Sequence, residues 1–496
     1  MDNFLNNFIA MTAGQLLAVL GALLFLGRPA SAKAPDNLRT CWQQQVEPIQ
    51  EAYVALRYQE TLAQLEHSFQ PWQPTDYTGS GRVWSNGGSF LKSDTLRRGT
   101  TTYYSQTQLT PSTLLFQDYG DKQLFRVTRG AFLEQPLQAA RYAPATLIHY
   151  FFARKIAPDK ESSRELTLYK ATLHHTVVRL YISTADNRLR KVTALSNDEL
   201  FGDVTTTYTY EDYALLGKLA YPKTVVVSKI NGKLTDKVTV SAAALVPAAP
   251  DLLAPPTGYS LAPDAAVKPE VSVEHYSPHL HFIGLAHTDD KVLVVEFSTF
   301  LLVAEAPLNS QNGELIIAEA RKIAPGKPIR YFVAGHYHPH YLGGLRPFVH
   351  KGATILTTAA DVPYVQYLAA APHTLQPDSL QLRPAPLRTE EIKGSKTISD
   401  DSFEMRIYVI GSKSQHTNDY LIYYFPSEKL LFEDDLVWIA RQGEIKPASA
   451  RQAGLYHAVR ELGLDIRTIV QSWPVKDYGV KTTIPFRDLE QSVSGK

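Results

Sequence analysis

His336-Tyr337-His338-Pro339-His340-Tyr341-Leu342-Gly343-Gly344 follows directly on the apolar run Ile329-Arg330-Tyr331-Phe332-Val333-Ala334. In an extended chain, side chains at i, i+2 and i+4 point the same way. His336, His338 and His340 therefore converge on one point if the chain stays extended beyond the strand end. Pro339 favours this, because a proline biases the residue before it away from helix. Neutral imidazole is the commonest protein ligand for zinc, each bond needing a nitrogen at about 2.0–2.1 Å. The Gly-Gly pair lets the backbone turn sharply and pack closely. One histidine here would read as a solvated loop residue. Three at alternating positions after a buried strand read as a metal site.

The stretch resembles the signature of the metallo-β-lactamase superfamily, His-x-His-x-Asp-His followed by Gly-Gly. The preceding strand and the downstream Gly352-Ala353-Thr354-Ile355-Leu356 fit that pattern too. The family's Asp falls on His340 and its third His on Tyr341. Two later segments resemble the superfamily's later motifs. Gly411-Ser412-Lys413-Ser414-Gln415-His416-Thr417-Asn418-Asp419 leads into a strand at Tyr420–Phe425, and Pro426–Val437 carries a strand ending in Glu433-Asp434-Asp435. By this resemblance His416 is the third ligand of a first metal. Asp435 corresponds to the carboxylate that bridges or binds a second metal. Asp434 stands where the family usually has Gly, so the two acids could trade roles. Trp473 stands where the family has a further His, and indole offers no lone pair to a metal. Glu305 sits where the family often has a structural Asp. His287 and His350 read as ordinary surface residues or neighbours of the ligands.

The resemblance implies an α/β fold for residues 269–496: a C-terminal αββα-sandwich, metallo-β-lactamase-like, preceded by an antiparallel β-rich domain. It also implies a zinc-dependent hydrolase. Three imidazoles leave a fourth position for a water, whose pKa zinc lowers to about 7. His336, His338 and His416 would hold the first ion. His340 and Asp435 would complete a tetrahedral site or hold a second ion. Because Tyr341 and Trp473 replace two ligands, one zinc is expected rather than two. His340 would take the part of the missing motif Asp, as base or as extra ligand. Tyr341 would donate a hydrogen bond to a developing oxyanion. The rival reading is a non-catalytic binding protein of the cell envelope on the same fold. Loss of the motif Asp favours the rival, and retention of the histidine cluster opposes it. A redox diiron site is disfavoured by the small number of carboxylates. The partner is a small-molecule substrate or an apolar ligand. The superfamily's substrates span lactams, thioesters, lactones and phosphoesters, and no motif here selects among them.

A chain of 496 residues is long for one domain. Its 44% hydrophobic and 20% charged residues are an ordinary globular balance, and a net charge of +1 offers no basic surplus for nucleic acid. Residues 15–26, Gln-Leu-Leu-Ala-Val-Leu-Gly-Ala-Leu-Leu-Phe-Leu, have the length of a secretory h-region and are short for a bilayer span. Ala30-Ser31-Ala32 matches a signal cleavage pattern, so residues 1–32 are expected to be a signal peptide and the mature chain to start at Lys33. No Lys or Arg precedes the apolar run, which makes an uncleaved anchor the runner-up. After cleavage no stable membrane span is expected. The single cysteine, Cys41, allows no internal disulfide. Export without disulfides suits a periplasmic or secreted bacterial protein.

Residues 33–75 are expected to form a helical N-terminal segment, with Ala52, Ala55, Leu56, Leu62, Ala63 and Leu65 among good helix formers over 33–70. Residues 76–246 alternate polar and apolar positions between turn signals such as Asp186-Asn187 and Asn231-Gly232, predicting an antiparallel β-rich domain with one helix near 139–155. The run Tyr208–Tyr213, then Gly217–Pro222 and a strand, resembles periplasmic lipoprotein-carrier-like domains. The five prolines between 247 and 268 predict a linker. Beyond it, strands alternate with helices, including a helix over Asn312–Ile323 and one near 360–370.

Overall fold

The computed structural model describes residues 36–66, 68–110, 113–118, 123–126, 135–250, 260–261, 269–475 and 478–495. The expected signal peptide 1–32, its cleavage point before Lys33 and most of the linker 247–268 lie outside them.

The helix expected over 33–70 exists only at Asp36–Gln45, followed by a short 3₁₀ turn at Glu47–Ile49, and Tyr53–Gln64 is a β-strand. Its alanines and leucines are good helix formers, yet Val54, Leu56, Tyr58 and Leu62 alternate and form a buried stripe. The strand is paired along both edges, to Thr75–Ser85 and to Leu234–Val246. Pairing and burial of a period-2 stripe override local propensity. The β-rich region thus opens at Tyr53 rather than at 76.

This strand sits inside a thirteen-stranded sheet. On one side of it come Thr75–Ser85, Phe90–Arg98, Thr101–Thr110, Thr113–Asp118, Gln123–Arg126 and Ser260–Leu261. On the other side come Leu234–Val246, Leu219–Lys229, Gly202–Leu216, Leu189–Asp198, Thr176–Ser183 and Leu166–Leu173. Neighbours are antiparallel except Ser260–Leu261, which runs parallel to Gln123–Leu124 and returns part of the Pro-rich segment to this sheet. Helices Asp36–Gln45, Gln135–Ala140 and Ala145–Ala153 cover one face through Leu38, Ala139, Leu147 and Phe151, packed with Leu56, Val83 and Phe90. Cys41 is buried in that cluster, where burial pushes its thiol up and leaves it inert.

Residues 271–485 hold two further sheets. Seven strands run in the order Val271–His275, Leu280–Leu285, Asp290–Glu296, Leu301–Ala304, Ile329–Val333, Thr354–Thr357 and Arg388–Glu391, and the last four are parallel. Six strands run in the order Ser395–Ser399, Glu404–Val409, Leu421–Phe425, Leu430–Glu433, Thr468–Gln471 and Thr483–Pro485. Leu293, Val295, Leu302 and Val333 of the first sheet share one cluster with Met405, Ile407, Tyr423 and Phe432 of the second. The opposite face of the first sheet is covered by helices Ser310–Ile323, Leu345–His350 and Val362–Ala370 through Ile316, Phe348 and Val365. Helices Ala450–Glu461 and Phe486–Ser494 cover the second through Leu455, Val459 and Leu489. Among the described residues, no helix is long and apolar enough to cross a membrane.

One buried acid pair makes the stability of this fold depend on pH. Asp361, beside the helix Val362–Ala370, hydrogen-bonds Asp419, whose carboxylate also accepts the Tyr337 N–H at 2.9 Å. Burial, then the Asp419 charge, pushes Asp361 up to about 9. The folded chain therefore keeps a proton that the unfolded chain releases near its ordinary value of 3.8. Stability contributed by this proton is complete at low pH and is lost as pH rises from about 4 through about 9. Asp361→Asn mimics the protonated form. It should stabilise the metal-free protein at pH 8 by on the order of 2 kcal/mol, raising its thermal midpoint, and flatten its pH dependence. Thermal unfolding at pH 5 and pH 8 checks this, and equal profiles for the two proteins would contradict it.

Candidate metal centre

The strand Ile329–Val333 ends at a buried loop, and the first two histidines leave it as expected. His336 and His338 are both buried. His338 is extended (φ −62°, ψ 150°), as its place before Pro339 requires. The chain does not stay extended, however. Pro339 is the first residue of a short helix, Pro339–Leu342, with His338 as its N-cap. Proline suits a first helical position, because its missing N–H would be unsatisfied there anyway. His340 consequently rotates away from the other two. Its Nδ1 lies 3.1 and 3.2 Å from the two oxygens of Asp290.

His416 fills the place that alternation had given to His340. It follows a 3₁₀ turn at Gly411–Ser414 and a left-handed Gln415 (φ 54°). Ser414 Oγ accepts the N–H groups of His416 and Thr417 at 3.1 and 3.3 Å. The helix Ala450–Glu461 presses on this turn so closely that a Cβ on Gly454 would run into the Lys413 carbonyl.

His336, His338 and His416 are all buried, and one nitrogen of each lies within 4.8 Å of the others. His336 Nε2 and His338 Nδ1 are 3.0 Å apart. Tetrahedral zinc with bonds of about 2.0–2.1 Å places its nitrogens roughly 3.3 Å apart. Outer partners orient two of the rings. His336 Nδ1 lies 2.6 Å from Asp434 Oδ2, and His338 Nε2 lies 3.3 Å from the Ser68 carbonyl. The Ser68 carbonyl can only accept, so His338 Nε2 carries the hydrogen and its Nδ1 presents a lone pair inward, while Asp434 engages the outer nitrogen of His336 and leaves its Nε2 turned toward the same point. A cation between those inner nitrogens is what such an arrangement stabilises. The donor set fits a divalent transition metal.

A dense acid layer supports the histidines. Asp435 Oδ2 lies 3.2 Å from His416 Nε2 and 3.6 Å from an Arg451 nitrogen. Burial alone would raise Asp435, but His416, Arg451 and His338 outweigh it and hold its carboxyl below the ordinary range. Asp434 differs. Burial, then Glu305, Asp435 and Glu433, pushes it well up, and it shares a hydrogen bond with Glu305. Glu305 accepts the Gly335 N–H at 3.1 Å and the Tyr423 hydroxyl at 3.1 Å. A Cβ on Gly335 would run into the Asp434 carboxylate, so glycine is needed there. Tyr420 stacks on His336 with centroids 4.9 Å apart, and its oxygen accepts the N–H groups of Asp434 and Asp435 at 3.0 and 3.1 Å. Its hydroxyl faces Glu433 and Asp435 at 3.1 and 3.3 Å.

The structure brings His336, His338, His416 and Asp435 together, and separates His340, which pairs with Asp290. Burial opposes charge on His340, but Asp290, Asp435 and Asp289 outweigh it and raise its pKa. Asp290 is itself pushed up by burial, against the pull of His340. The pair thus shares a proton between His340 Nδ1 and the Asp290 carboxylate, and the His340 Nε2 is the ring nitrogen turned away from Asp290. Tyr341 is buried with its ring 4.4 Å from His336, and burial and the surrounding acids push its phenol well up, so it stays protonated. Trp473 packs 5.3 Å from His340. His287 and His350 lie outside the cluster, bonded to Asn312 and to the Arg383 carbonyl. Sequence reading missed Asp290, Tyr420 and Ser68. Asp290 had a signal, an acid opening an otherwise apolar strand. The Ser68 carbonyl had none, since backbone atoms carry no residue identity.

No protein-family model and no curated protein sequence matches the chain. Among solved structures it is similar to a metallo-beta-lactamase from Pontibacter korlensis, at 14% identity over 45% of this chain and 98% of that one, TM-score 0.33. It is similar also to the DIM-1 metallo-beta-lactamase, at 14% identity over 46% of this chain and 96% of that one, TM-score 0.33. A third is a flavoprotein from Thermotoga maritima, at 13% identity over 46% of this chain and 61% of that one, TM-score 0.32.

Proposed function

We propose that the chain is a metal-dependent hydrolase with one zinc ion held by His336, His338 and His416, on a C-terminal αββα-sandwich of metallo-β-lactamase type. The observation that carries this reading is the pair of oriented imidazoles. Asp434 and the Ser68 carbonyl turn the inner nitrogens of His336 and His338 toward one point, where a nitrogen of His416 also lies. Zinc held there would polarise a substrate carbonyl or phosphoryl oxygen and lower the pKa of a water. Asp435, kept ionised beside His416, adds negative charge at the edge of the cluster. His340 is the proton carrier in this reading. Asp290 accepts a hydrogen bond from Nδ1, and Nε2 accepts a proton from water and returns it to a leaving group. Tyr341 braces His336 rather than meeting substrate. The apolar run at 15–26 supports export to the periplasm or beyond as part of the same proposal.

His340→Ala tests the assignment. Zinc-loaded protein is assayed against a chromogenic panel of carboxylic esters, lactones, β-lactams and phosphodiesters. The wild type should turn over at least one class. His340→Ala should lose at least a hundredfold in kcat while keeping its zinc, within the 10²–10⁴ range of general acid–base catalysis. Loss of zinc from this variant would make His340 a ligand. No turnover by the zinc-loaded wild type would favour the binding-protein reading.

A further inference from the structure

The metal centre opens into a space that neither of its own two sheets builds. A cavity of about 850 Å³ lies between the thirteen-stranded sheet and the loop carrying the histidines, with His338 and His340 in its wall. That volume lies in the range of small-molecule sites, about 300–1,000 Å³. Much of the remaining wall is aromatic or aliphatic, including Leu65, Trp72, Leu96, Tyr103, Phe201 and Tyr364, beside polar residues such as Gln64, Gln73 and Ser105. Three of these rings are set by one another: Trp72 stacks on Phe201 at 5.3 Å and meets Tyr364 edge-on at 5.2 Å. The charged groups in the wall are matched internally. Arg98 pairs with Glu66 at 3.0 Å and Lys92 with Asp94 at 2.6 Å, so neither presents an unbalanced charge to a ligand. Tyr103 is 42% exposed, a large apolar surface left at a cavity wall. The two regions are also locked together at the histidines, since the Ser68 carbonyl receives both His338 and the Tyr337 hydroxyl, the latter at 2.7 Å.

We infer that this cavity receives the apolar chain of an acyl ligand, with the carbonyl end at His338 and His340. The substrate class that follows, resting on the hydrolase reading above, is a carboxylic ester of a medium or long acyl chain. Hydrolysis adds water across the acyl C–O bond. The carbonyl carbon takes the hydroxyl, the bond to the alcohol oxygen breaks, and the second proton of water passes through His340 Nε2 to the departing alcohol. The products are a fatty acid and an alcohol. On this assignment the thirteen-stranded sheet supplies part of the specificity wall of a site whose chemistry lies in residues 269–496.

Binding and turnover are measured separately. Isothermal titration calorimetry of dodecanoate and butyrate into the metal-free full chain reads the cavity alone. Dodecanoate should bind at one equivalent and butyrate at least tenfold more weakly. Tyr103→Asp, at an exposed position, and Leu96→Asp should each weaken dodecanoate at least tenfold without changing the zinc content of loaded protein. Zinc-loaded wild type should also favour p-nitrophenyl dodecanoate over the acetate in kcat/KM, and Tyr103→Asp should erase that preference. Absence of dodecanoate binding, or binding that both variants leave unchanged, overturns the inference. Dodecanoate binding without cleavage of any ester supports the cavity assignment and defeats the hydrolase reading instead.

Discussion

Dialysed wild-type protein is expected to retain one equivalent of zinc, and His336→Ala/His338→Ala to retain none. The arrangement makes the loss steep. Each imidazole supplies one of three converging nitrogens, and removing two leaves His416 alone. Asp434→Asn is the graded member of the series. It keeps shape at a fully buried position but weakens the acceptor 2.6 Å from His336 Nδ1. Outer partners of this kind are worth about 10–100-fold in metal affinity. Elemental analysis gives stoichiometry, and competition with a chromogenic chelator gives affinity. Far-UV circular dichroism of each variant separates lost metal from lost fold. Two equivalents in the wild type would mean that Asp435 and His340 hold a second ion. Zinc retained by the double variant would place the ion elsewhere.

Gly343→Ala should destabilise the chain by about 3 kcal/mol or more, the upper end of what overpacking a tight site costs. Gly343 has an ordinary helical backbone (φ −59°), so conformational freedom is not its purpose. Its purpose is close approach: a Cβ there would collide with the Leu308 backbone. The two segments are joined by three short hydrogen bonds. Leu308 N–H donates to Pro339 O at 2.7 Å, Ala306 N–H to Tyr341 O at 2.8 Å, and Gly344 N–H to Ala306 O at 2.7 Å. Any relief of the collision must loosen that joint, and His338 caps the same short helix. Zinc affinity should therefore fall together with stability. Gly88→Ala is the control, because its Cβ would meet only the Asn86 side chain, at 3.7 Å. Urea unfolding of the metal-free proteins reads the difference. Equal midpoints for Gly343→Ala and wild type would show that the joint yields without cost.

Much of the second region was legible in the sequence because its signals are local. The apolar runs 291–297 and 300–304 hold the buried strands Asp290–Glu296 and Leu301–Ala304, and the amphipathic stretch at 312–323 lies in the helix Ser310–Ile323, begun by the Asn309 side chain accepting the Asn312 N–H. His336 and His338 were singled out with His340 by type and spacing, and His416 by its place in a resembling motif order; the fold brings His336, His338 and His416 together. The first region misled at Tyr53–Gln64, where helix-forming residues carry a strand's alternation and two flanking strands supply the decisive pairing.

By itself, the sequence determined the histidine pair at a strand end, the later loop histidine, the acid tandem Asp434-Asp435 and the glycines that permit close packing. Only the tertiary structure decided that His340 turns to Asp290, that Asp434 orients His336 while Asp435 faces His416, and that a backbone carbonyl from the first region orients His338. The reason is the range of the forces involved. Strand alternation and the extended bias that Pro339 imposes on His338 act between near neighbours in the chain. What a ring nitrogen meets depends instead on groups far along the chain, 98 residues away for Asp434 and 270 for Ser68. No local pattern encodes such a meeting, and packing alone brings it about.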